Sequence, residues 1–285
     1  MMQNIEDMEF YPAALSIAGS DSGGGAGIQA DLRTFNAFGI YGCTAITAVT
    51  SQNPAEVRRV DAPPAEAVRC QIESVLDAIP VRIAKTGMLA NCEIVETVAD
   101  VIRERSLPLV ADPVMVSTSG AVLLEKSAVS ALLEKLFPLA AWITPNIPEA
   151  ELILGRKLTD RRALADAARS CYDRWGCNVI LKGGHAAAGK AVTDMICCDG
   201  KLYTLSSPAA KVSGKTTHGT GCTLSSALAA GLAFGMDWQQ AVAEAKSFVF
   251  GSLCEAVNLS GSISQMYPPS EDCLNRIRLE PWKDK

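Results

Sequence analysis

The sequence predicts an α/β fold, a three-layer α/β/α sandwich in which helices cover both faces of a mostly parallel central sheet. Short apolar runs alternate with stretches of helical periodicity. Each stretch between two runs is long enough to cross over the sheet, so that consecutive strands can lie parallel. The 285 residues, 48% of them hydrophobic, suit a single domain with a large buried core. We expect that domain to span residues 1–285, with its core at about 13–258 and terminal extensions at 1–12 and 259–285.

Strands and helices are expected to alternate up to Lys182. The apolar runs predict strands, and the amphipathic stretches between them predict helices. The expected strands are 14–18, 44–49, 82–84, 109–111, 142–144 and 179–181, and the expected helices are 27–38, 65–78, 92–104, 126–136 and 160–175.

The pattern changes after Lys182. Residues 193–198 and 201–206 predict a β-hairpin, because Asp199 and Gly200 between them form a typical two-residue turn. Two helices are expected at 222–234 and 237–257, the second of them capped by Asp237. The tail from Ser260 is expected to be an irregular strap over the surface, or partly mobile.

Composition narrows the function. The net charge of −5 and the lack of a basic cluster argue against a nucleic-acid surface and favour small-molecule partners. Acidic residues near the start are unlike a secretory leader, and no apolar run approaches the length of a membrane span, so we expect a cytoplasmic protein. In that setting the ten cysteines are expected to be reduced thiols, and two histidines make a zinc site an unfavoured interpretation.

The clearest site signal is the glycine-bearing turn at residues 217–223, which runs directly into an apolar helix. Its backbone N–H groups would converge with the positive end of the helix dipole and hold an anion such as a transferring phosphoryl group. Cys222 lies in the first helical turn, where the dipole is expected to lower its pKa and let it act as a base. The alternatives are a helix entry that binds nothing and a cysteine packed in the core.

Three other segments carry weaker signals. The glycine-rich run at residues 19–27 joins a predicted strand to a helix, at the sheet edge where open α/β proteins bind ligands. Asp112 and Glu149 follow two further strands and offer oxygen ligands to Mg²⁺, although Glu149 with Asn146 also fits a helix capping box. Residues 184–191 nearly match a phosphate-binding loop, but they lack its final hydroxyl and a strand is predicted to follow, so we reject that interpretation.

These residues together resemble the ribokinase-like superfamily and, within it, the hydroxymethylpyrimidine/phosphomethylpyrimidine kinases of thiamine biosynthesis. The resemblance extends from about residue 14 to about residue 255. The matching runs are 17–31, 47–53, 85–89, 112–115, 144–150, 182–185 and 217–223. Seven ordered matches are far more specific than any one of them.

The resemblance implies a role for each site residue. Gln52 would contact the pyrimidine ring edge, with three residues near the substrate pocket: Gly19, Asp31 and Met88. Asp112 and Glu149 would serve Mg²⁺ and the phosphates through water. The nucleotide would lie by Lys182, Thr217 and His218. The anion hole would be formed by Gly219, Thr220, Gly221 and Cys222, with Cys222 as the base.

The resemblance further implies ATP as the phosphate donor, a small pyrimidine alcohol as the substrate and a homodimer. Two alternatives stay open. A pyridoxal or pyridoxine kinase of the same superfamily would act on a similar hydroxymethyl group, and the Gln52 amide could bond either ring because it both donates and accepts. A non-catalytic binder of a vitamin precursor would have no need of a transition-state anion site.

Overall fold

The computed structural model describes residues 11–115, 124–184, 191–210, 218–260 and 263–283. Ten of its strands form one sheet in the order β12-β9-β8-β7-β6-β5-β4-β1-β2-β3, and β10 pairs with β11 separately. The strands are β1 Ala13–Asp21, β2 Tyr41–Gln52, β3 Val57–Asp61, β4 Val81–Thr86, β5 Leu109–Ala111, β6 Trp142–Ile143, β7 Asn178–Leu181, β8 Val192–Cys198, β9 Lys201–Ser207, β10 Val257–Ser260, β11 Ile263–Gln265 and β12 Arg278–Pro281. Neighbouring strands among β1, β2, β4, β5, β6 and β7 pair in parallel.

Helices cover both faces of this sheet. They are α1 Gly27–Ala37, α2 Ala65–Leu76, α3 Cys92–Arg105, α4 Lys126–Ala131, α5 Ile147–Leu154, α6 Arg161–Trp175, α7 Thr220–Phe234 and α8 Trp238–Cys254. One apolar cluster packs helices α2 to α6 on one face, and a second packs α1, α7 and α8 on the other. The three-layer sandwich predicted from the sequence is therefore confirmed, because apolar residues on both faces of the parallel strands need helices to bury them.

The predicted local signals are largely found. Asp199 and Gly200 both have positive φ in the turn between β8 and β9, as the hairpin prediction requires. Asp237 caps α8 by accepting a hydrogen bond from the Gln240 amide. Asn146 and Glu149 form the capping box of α5. All ten cysteines are free thiols.

The C-terminal tail needs a correction. Instead of an irregular strap, residues Arg278–Pro281 form β12, which pairs antiparallel with β9 and extends the main sheet. The expected core boundary near residue 258 therefore excludes a strand of the sheet. Edge strand β3, antiparallel to β2, was not predicted either. All five of its residues are exposed, and its sequence lacks the alternation of apolar and polar residues that marks a half-buried strand.

Some predictions fall beyond the described residues, namely those for the N-terminal extension up to residue 10, for His185 and for Thr217. The near-match to a phosphate loop is described only at its ends, and β8 begins at Val192 directly after it, as expected. Over the described part of the chain, no helix is long and apolar enough to cross a membrane.

A buried ion pair joins the sheet to α8. Lys246 Nζ lies 2.7 Å from Asp194 on β8, and both side chains are less than a tenth exposed. The other oxygen of Asp194 accepts a 2.9 Å hydrogen bond from the Gly183 amide. The pair therefore fixes both α8 and the chain just after β7.

Lys246→Met should lower the free energy of unfolding by roughly 3 kcal/mol, because it leaves Asp194 buried without its counter-ion. Denaturant unfolding measures this change. The matched control is Lys157→Met, which removes an 83% exposed lysine from its pair with Glu151 and should change stability by no more than about 1 kcal/mol. Equal stabilities of the two variants would contradict the importance of the buried pair.

Candidate functional site

One cavity lies at the carboxyl ends of the parallel strands. Its volume is about 590 Å³, within the range of roughly 300–1,000 Å³ that small-molecule sites occupy. Segments that follow β1, β2, β4, β5, β6 and β7 line it, together with the first turn of α7. This is the edge of an open α/β sheet where ligands bind. The predicted site residues that line it are Gly19, Gln52, Met88, Asp112, Glu149, Lys182, His218, Gly219, Thr220, Gly221 and Cys222.

The turn that opens α7 packs against the glycine-rich loop after β1. Gly219 is the N-cap, with a φ of 86°, and a Cβ atom built on it would lie 1.9 Å from the Gly25 carbonyl oxygen. Glycine is required at this position both by its backbone conformation and by this close approach. A Cβ on Gly221 would meet Lys182 Nζ at 3.1 Å, so the turn also lies beside the lysine. The turn and Gln52 line the same cavity, which the kinase interpretation requires.

Of the residues expected around the substrate ring, Gln52, Gly19 and Met88 line the cavity, whereas Asp31 does not. Gln52 ends β2 and lines the cavity. Gly19 and Met88 form adjoining parts of its wall, since a Cβ on Gly19 would lie 3.6 Å from Met88 Sδ. Their role in substrate binding stays a prediction.

Asp31 is not part of the cavity wall. Its side chain is fully buried on α1, where it accepts hydrogen bonds from Ser16 at 2.5 Å and Ser226 at 2.6 Å. Lys85 Nζ lies 2.8 Å from it in a fully buried ion pair. These partners occupy the carboxylate, and a role for Asp31 near the substrate pocket stays a prediction.

Asp112 and Lys182 form a second buried pair that does line the cavity. Lys182 Nζ lies 2.9 Å from Asp112, which also accepts hydrogen bonds from Thr144 at 3.1 Å and Ser225 at 3.2 Å. Burial alone would raise the pKa of Asp112, but Lys182 and Lys85 hold it below its usual value. Asp112 is therefore a carboxylate at neutral pH.

Glu149 lies in the cavity wall at the start of α5, where its carboxylate also accepts a hydrogen bond from the Asn146 amide. Burial, partly offset by Lys182 and reinforced by the charge of Asp112, raises the pKa of Glu149 to about 7. The negative charges of the two carboxylates repel each other, so a cation placed near both would be attracted to them. The partners of Asp112 already occupy its oxygens, so Mg²⁺ would fit through bridging water, as this ion commonly binds.

Cys222 is the third residue of α7 and lies against the buried pair formed by Asp31 and Lys85. Burial raises the pKa of its thiol to about 11, although Lys85 opposes that effect. The expectation that the helix dipole makes a thiolate available near neutrality is therefore wrong. Removal from water outweighs the dipole, and the thiol is neutral at pH 7.

His218 also lies away from its expected place. Its Nε2 atom is 2.9 Å from Asp21 and 3.1 Å from the Gln52 amide. These contacts put His218 on the Gln52 side of the cavity, which argues against the nucleotide role expected for it.

Several functional groups were missed from the sequence. Lys85, which neutralises Asp31, continues an apolar strand run, and a charge in such a run is a signal that could have found it. Asp21 was part of the glycine-rich run but was assigned no role. Ser225 and Ser226 gave no signal, because serines are common on the buried faces of helices.

The phosphomethylpyrimidine kinase family model matches residues 21–266 of the chain. A hydroxymethylpyrimidine/phosphomethylpyrimidine kinase of Haemophilus influenzae is 45% identical over 249 residues, which cover 86% of this chain and 92% of that protein. The family match contains the candidate site residues from Asp21 to Cys222, and Gly19 lies just outside it.

Solved structures agree with the fold. The crystal structure of phosphomethylpyrimidine kinase from Clostridium difficile has a TM-score of 0.73 at 38% identity and covers 84% of this chain and 97% of its own. A pyridoxal kinase from Staphylococcus aureus in complex with ADP has a TM-score of 0.84 at 31% identity, covering 96% and 99%. The fold is the ribokinase-like sandwich that the resemblance implied.

Gly219→Ala should weaken binding of a non-hydrolysable ATP analogue by about tenfold or more, because the new Cβ displaces the turn whose amides face the phosphates. Titration calorimetry measures the affinity. Gly235→Ala, at the other end of α7, is the matched control. Its φ is 92° but nothing lies within 4 Å of the new Cβ, so it should cost about 1 kcal/mol of stability and leave binding intact. Equal affinities in the two variants would contradict an anion-binding turn.

Proposed function

This chain belongs to the phosphomethylpyrimidine kinase family, and we propose that it phosphorylates 4-amino-5-hydroxymethyl-2-methylpyrimidine in two steps with ATP. The first step gives the monophosphate and the second gives the diphosphate, in thiamine biosynthesis. One observation carries the proposal: the ring-binding candidate Gln52 and the phosphate-binding turn at Gly219 to Cys222 line a single cavity of about 590 Å³. An alcohol held by one could therefore meet a triphosphate held by the other.

The residues would divide the work as follows. The amides of the α7 turn would stabilise the charge of the transferring phosphoryl group, which is the main demand of phosphoryl transfer. Lys182 would add a positive charge at the nucleotide. Cys222 would have to ionise before it could receive the hydroxyl proton in the first step, and the charge of Lys85 favours that ionisation while burial opposes it.

Mg²⁺ belongs to the proposal because phosphoryl transfer from ATP uses it to neutralise phosphate charge. Asp112 and Glu149 would hold it through water. A homodimer is also proposed, as the resemblance implies. Exposed apolar side chains at Val49, Val57 and Val60 on the β2–β3 edge would suit a surface covered by a second copy.

The direct test offers the protein MgATP with the pyrimidine alcohol and follows ADP release and both products. We expect sequential formation of the monophosphate and the diphosphate, abolished by a chelator of Mg²⁺. Pyridoxal and pyridoxine, offered in parallel, test the rival kinase. Phosphorylation of pyridoxal alone would replace the proposal with that rival, and a lack of ADP release with every alcohol would indicate a binder.

Cys222→Asp should slow the second phosphorylation by about tenfold or more relative to the first, because a carboxylate repels the monophosphate substrate. The native thiol avoids this effect, since its raised pKa keeps it neutral. The second nucleophile is already ionised and needs no base.

Separate measurement of kcat/KM for the alcohol and for its monophosphate gives the result. Cys222→Ser is the control, because it removes the thiol without adding charge and should not slow the second step selectively. Equal losses in both steps of Cys222→Asp would remove this account of the cysteine.

A further inference from the structure

The Gln52 side chain belongs to a chain of polar groups that crosses the ring end of the cavity. One end of its amide lies 3.1 Å from His218 Nε2, and that nitrogen lies 2.9 Å from Asp21 Oδ2. The other end lies 3.3 Å from Thr50 Oγ1. The hydroxyl of Thr50 in turn lies 2.8 Å from the Ser20 carbonyl oxygen. Donors and acceptors along this chain can be assigned from both ends.

The first end is fixed by Asp21. Its carboxylate accepts hydrogen bonds from the backbone amides of Gly23 at 2.8 Å, Gly25 at 3.1 Å and Ala26 at 2.9 Å. Burial alone would raise the pKa of Asp21, but the hydrogen bonds from His218 and from these amides hold it below its usual value. An ionised carboxylate can only accept, so the proton between it and His218 must be on Nε2.

The second end is fixed by Thr50. A hydroxyl has one hydrogen, and the Ser20 carbonyl, which cannot donate, takes it. Thr50 can therefore only accept from the Gln52 amide. Protonated Nε2 has no lone pair, so the amide group near His218 cannot donate to it and can only share its single hydrogen with Asp21 as a second acceptor, while the group near Thr50 must be a donor.

If the Gln52 nitrogen lies beside His218 Nε2, two N–H groups face each other there. At the other end of the amide, the Gln52 oxygen would meet the Thr50 hydroxyl oxygen with no hydrogen between them. The nitrogen and oxygen of a glutamine amide are nearly isosteric, so the hydrogen-bond network decides which is which. Exchanging the two ends of the amide removes both conflicts at once.

We propose that Asp21, His218 and Thr50 lock the Gln52 amide, with its oxygen toward His218 and its nitrogen toward Thr50, and thereby select a substrate ring edge that carries an amino donor beside a nitrogen acceptor. The proposal rests on the proposed function, because it assumes that Gln52 faces the pyrimidine. Asp21, His218 and Thr50 are positioning residues in this account.

The kind of ring edge that can bind follows from the hydrogen-bonding groups of Gln52 that His218 and Thr50 do not use. One lone pair of the carbonyl and one N–H of the amide remain for a ligand. Glutamine recognises adenine by this pattern: its amide oxygen accepts from the amino group and its amide nitrogen donates to a ring nitrogen. A 4-oxopyrimidine presents the reverse order, and satisfying it would require the amide to turn over and break both holding contacts. Pyridoxal carries its ring hydroxyl away from the ring nitrogen and cannot make both bonds to one amide.

The first test reads the His218 proton directly. The chain has only two histidines, so ¹⁵N-histidine labelling gives a simple spectrum, and the His218→Phe variant identifies the His218 signals by their loss. We expect a proton on Nε2 in the neutral protein, in the presence or absence of ligand. A proton on Nδ1 alone would overturn the proposal.

The second test measures selectivity. The substrates are the 4-amino pyrimidine alcohol and its 4-oxo analogue, which share the reacting hydroxymethyl group, and the readout is the ratio of their kcat/KM values. Thr50→Val removes one holding contact and His218→Phe removes the other, so each should lower the ratio about fivefold, the worth of one neutral hydrogen bond. Thr50→Ser keeps the hydroxyl and should retain the ratio.

The outcomes are separable. A residue that only supports the fold would reduce kcat/KM for both substrates alike, so an unchanged ratio in Thr50→Val and His218→Phe would overturn the lock. Failure of the unaltered protein to phosphorylate either alcohol would count against the proposed function instead. The proton position on His218 would then decide the proposal about the amide by itself.

Discussion

Two buried carboxylates fix the point at which α7 begins, and the phosphate end of the cavity depends on that point. Ser226 of α7 donates to Asp31 at 2.6 Å, and the neighbouring Ser225 hydroxyl lies 3.2 Å from Asp112 and 3.1 Å from two carbonyl oxygens of its own helix, those of Gly221 and Cys222. Asp112 follows the sheet strand β5 and Asp31 belongs to α1, so the helix is bonded both to the sheet and to its neighbouring helix. The rest of α7 is buried in apolar contacts, and the hydrogen bond from Ser226 adds a directional contact that helps to place the amides of the turn.

The same carboxylates set the charge beneath the cavity. Lys85 faces Asp31 and Lys182 faces Asp112, so each buried negative charge has a positive partner. Burial alone would lower the pKa of Lys85, but the carboxylates of Asp31 and Asp112 raise it above its usual value, and it stays charged. An incoming phosphate thus meets balanced charges and a neutral thiol at Cys222. A third carboxylate at that position would have no lysine of its own among these pairs.

The parallel strands were predicted because they are short apolar runs, and most helices because each has one buried face with a helical period. Strand β12 escaped prediction because its stability comes from pairing with the distant β9, and its Pro281 is typical of an edge or a loop. The family resemblance assigned Gln52 and Cys222 to one site, and both residues line the same cavity. The ion pair of Asp31 with Lys85 and the contact of His218 with Asp21 were not predicted, since each pair is far apart in the sequence. The raised pKa of Cys222 was not predicted, because a helix start and its dipole can be recognised in a sequence, whereas the burial of one side chain cannot.

The two ends of the cavity obtain their polarity in different ways. At the end formed by the α7 turn, the buried charges are paired, and the backbone amides of α7 would supply the attraction for a phosphate. At the ring end, one carboxylate organises both the main chain and the side chains, since Asp21 binds the amides of the glycine-rich loop and also orients His218. The loop and the donor pattern at Gln52 therefore share one anchor. A change at Asp21 would disturb both together, so selectivity can be varied independently of the loop only through His218 and Thr50.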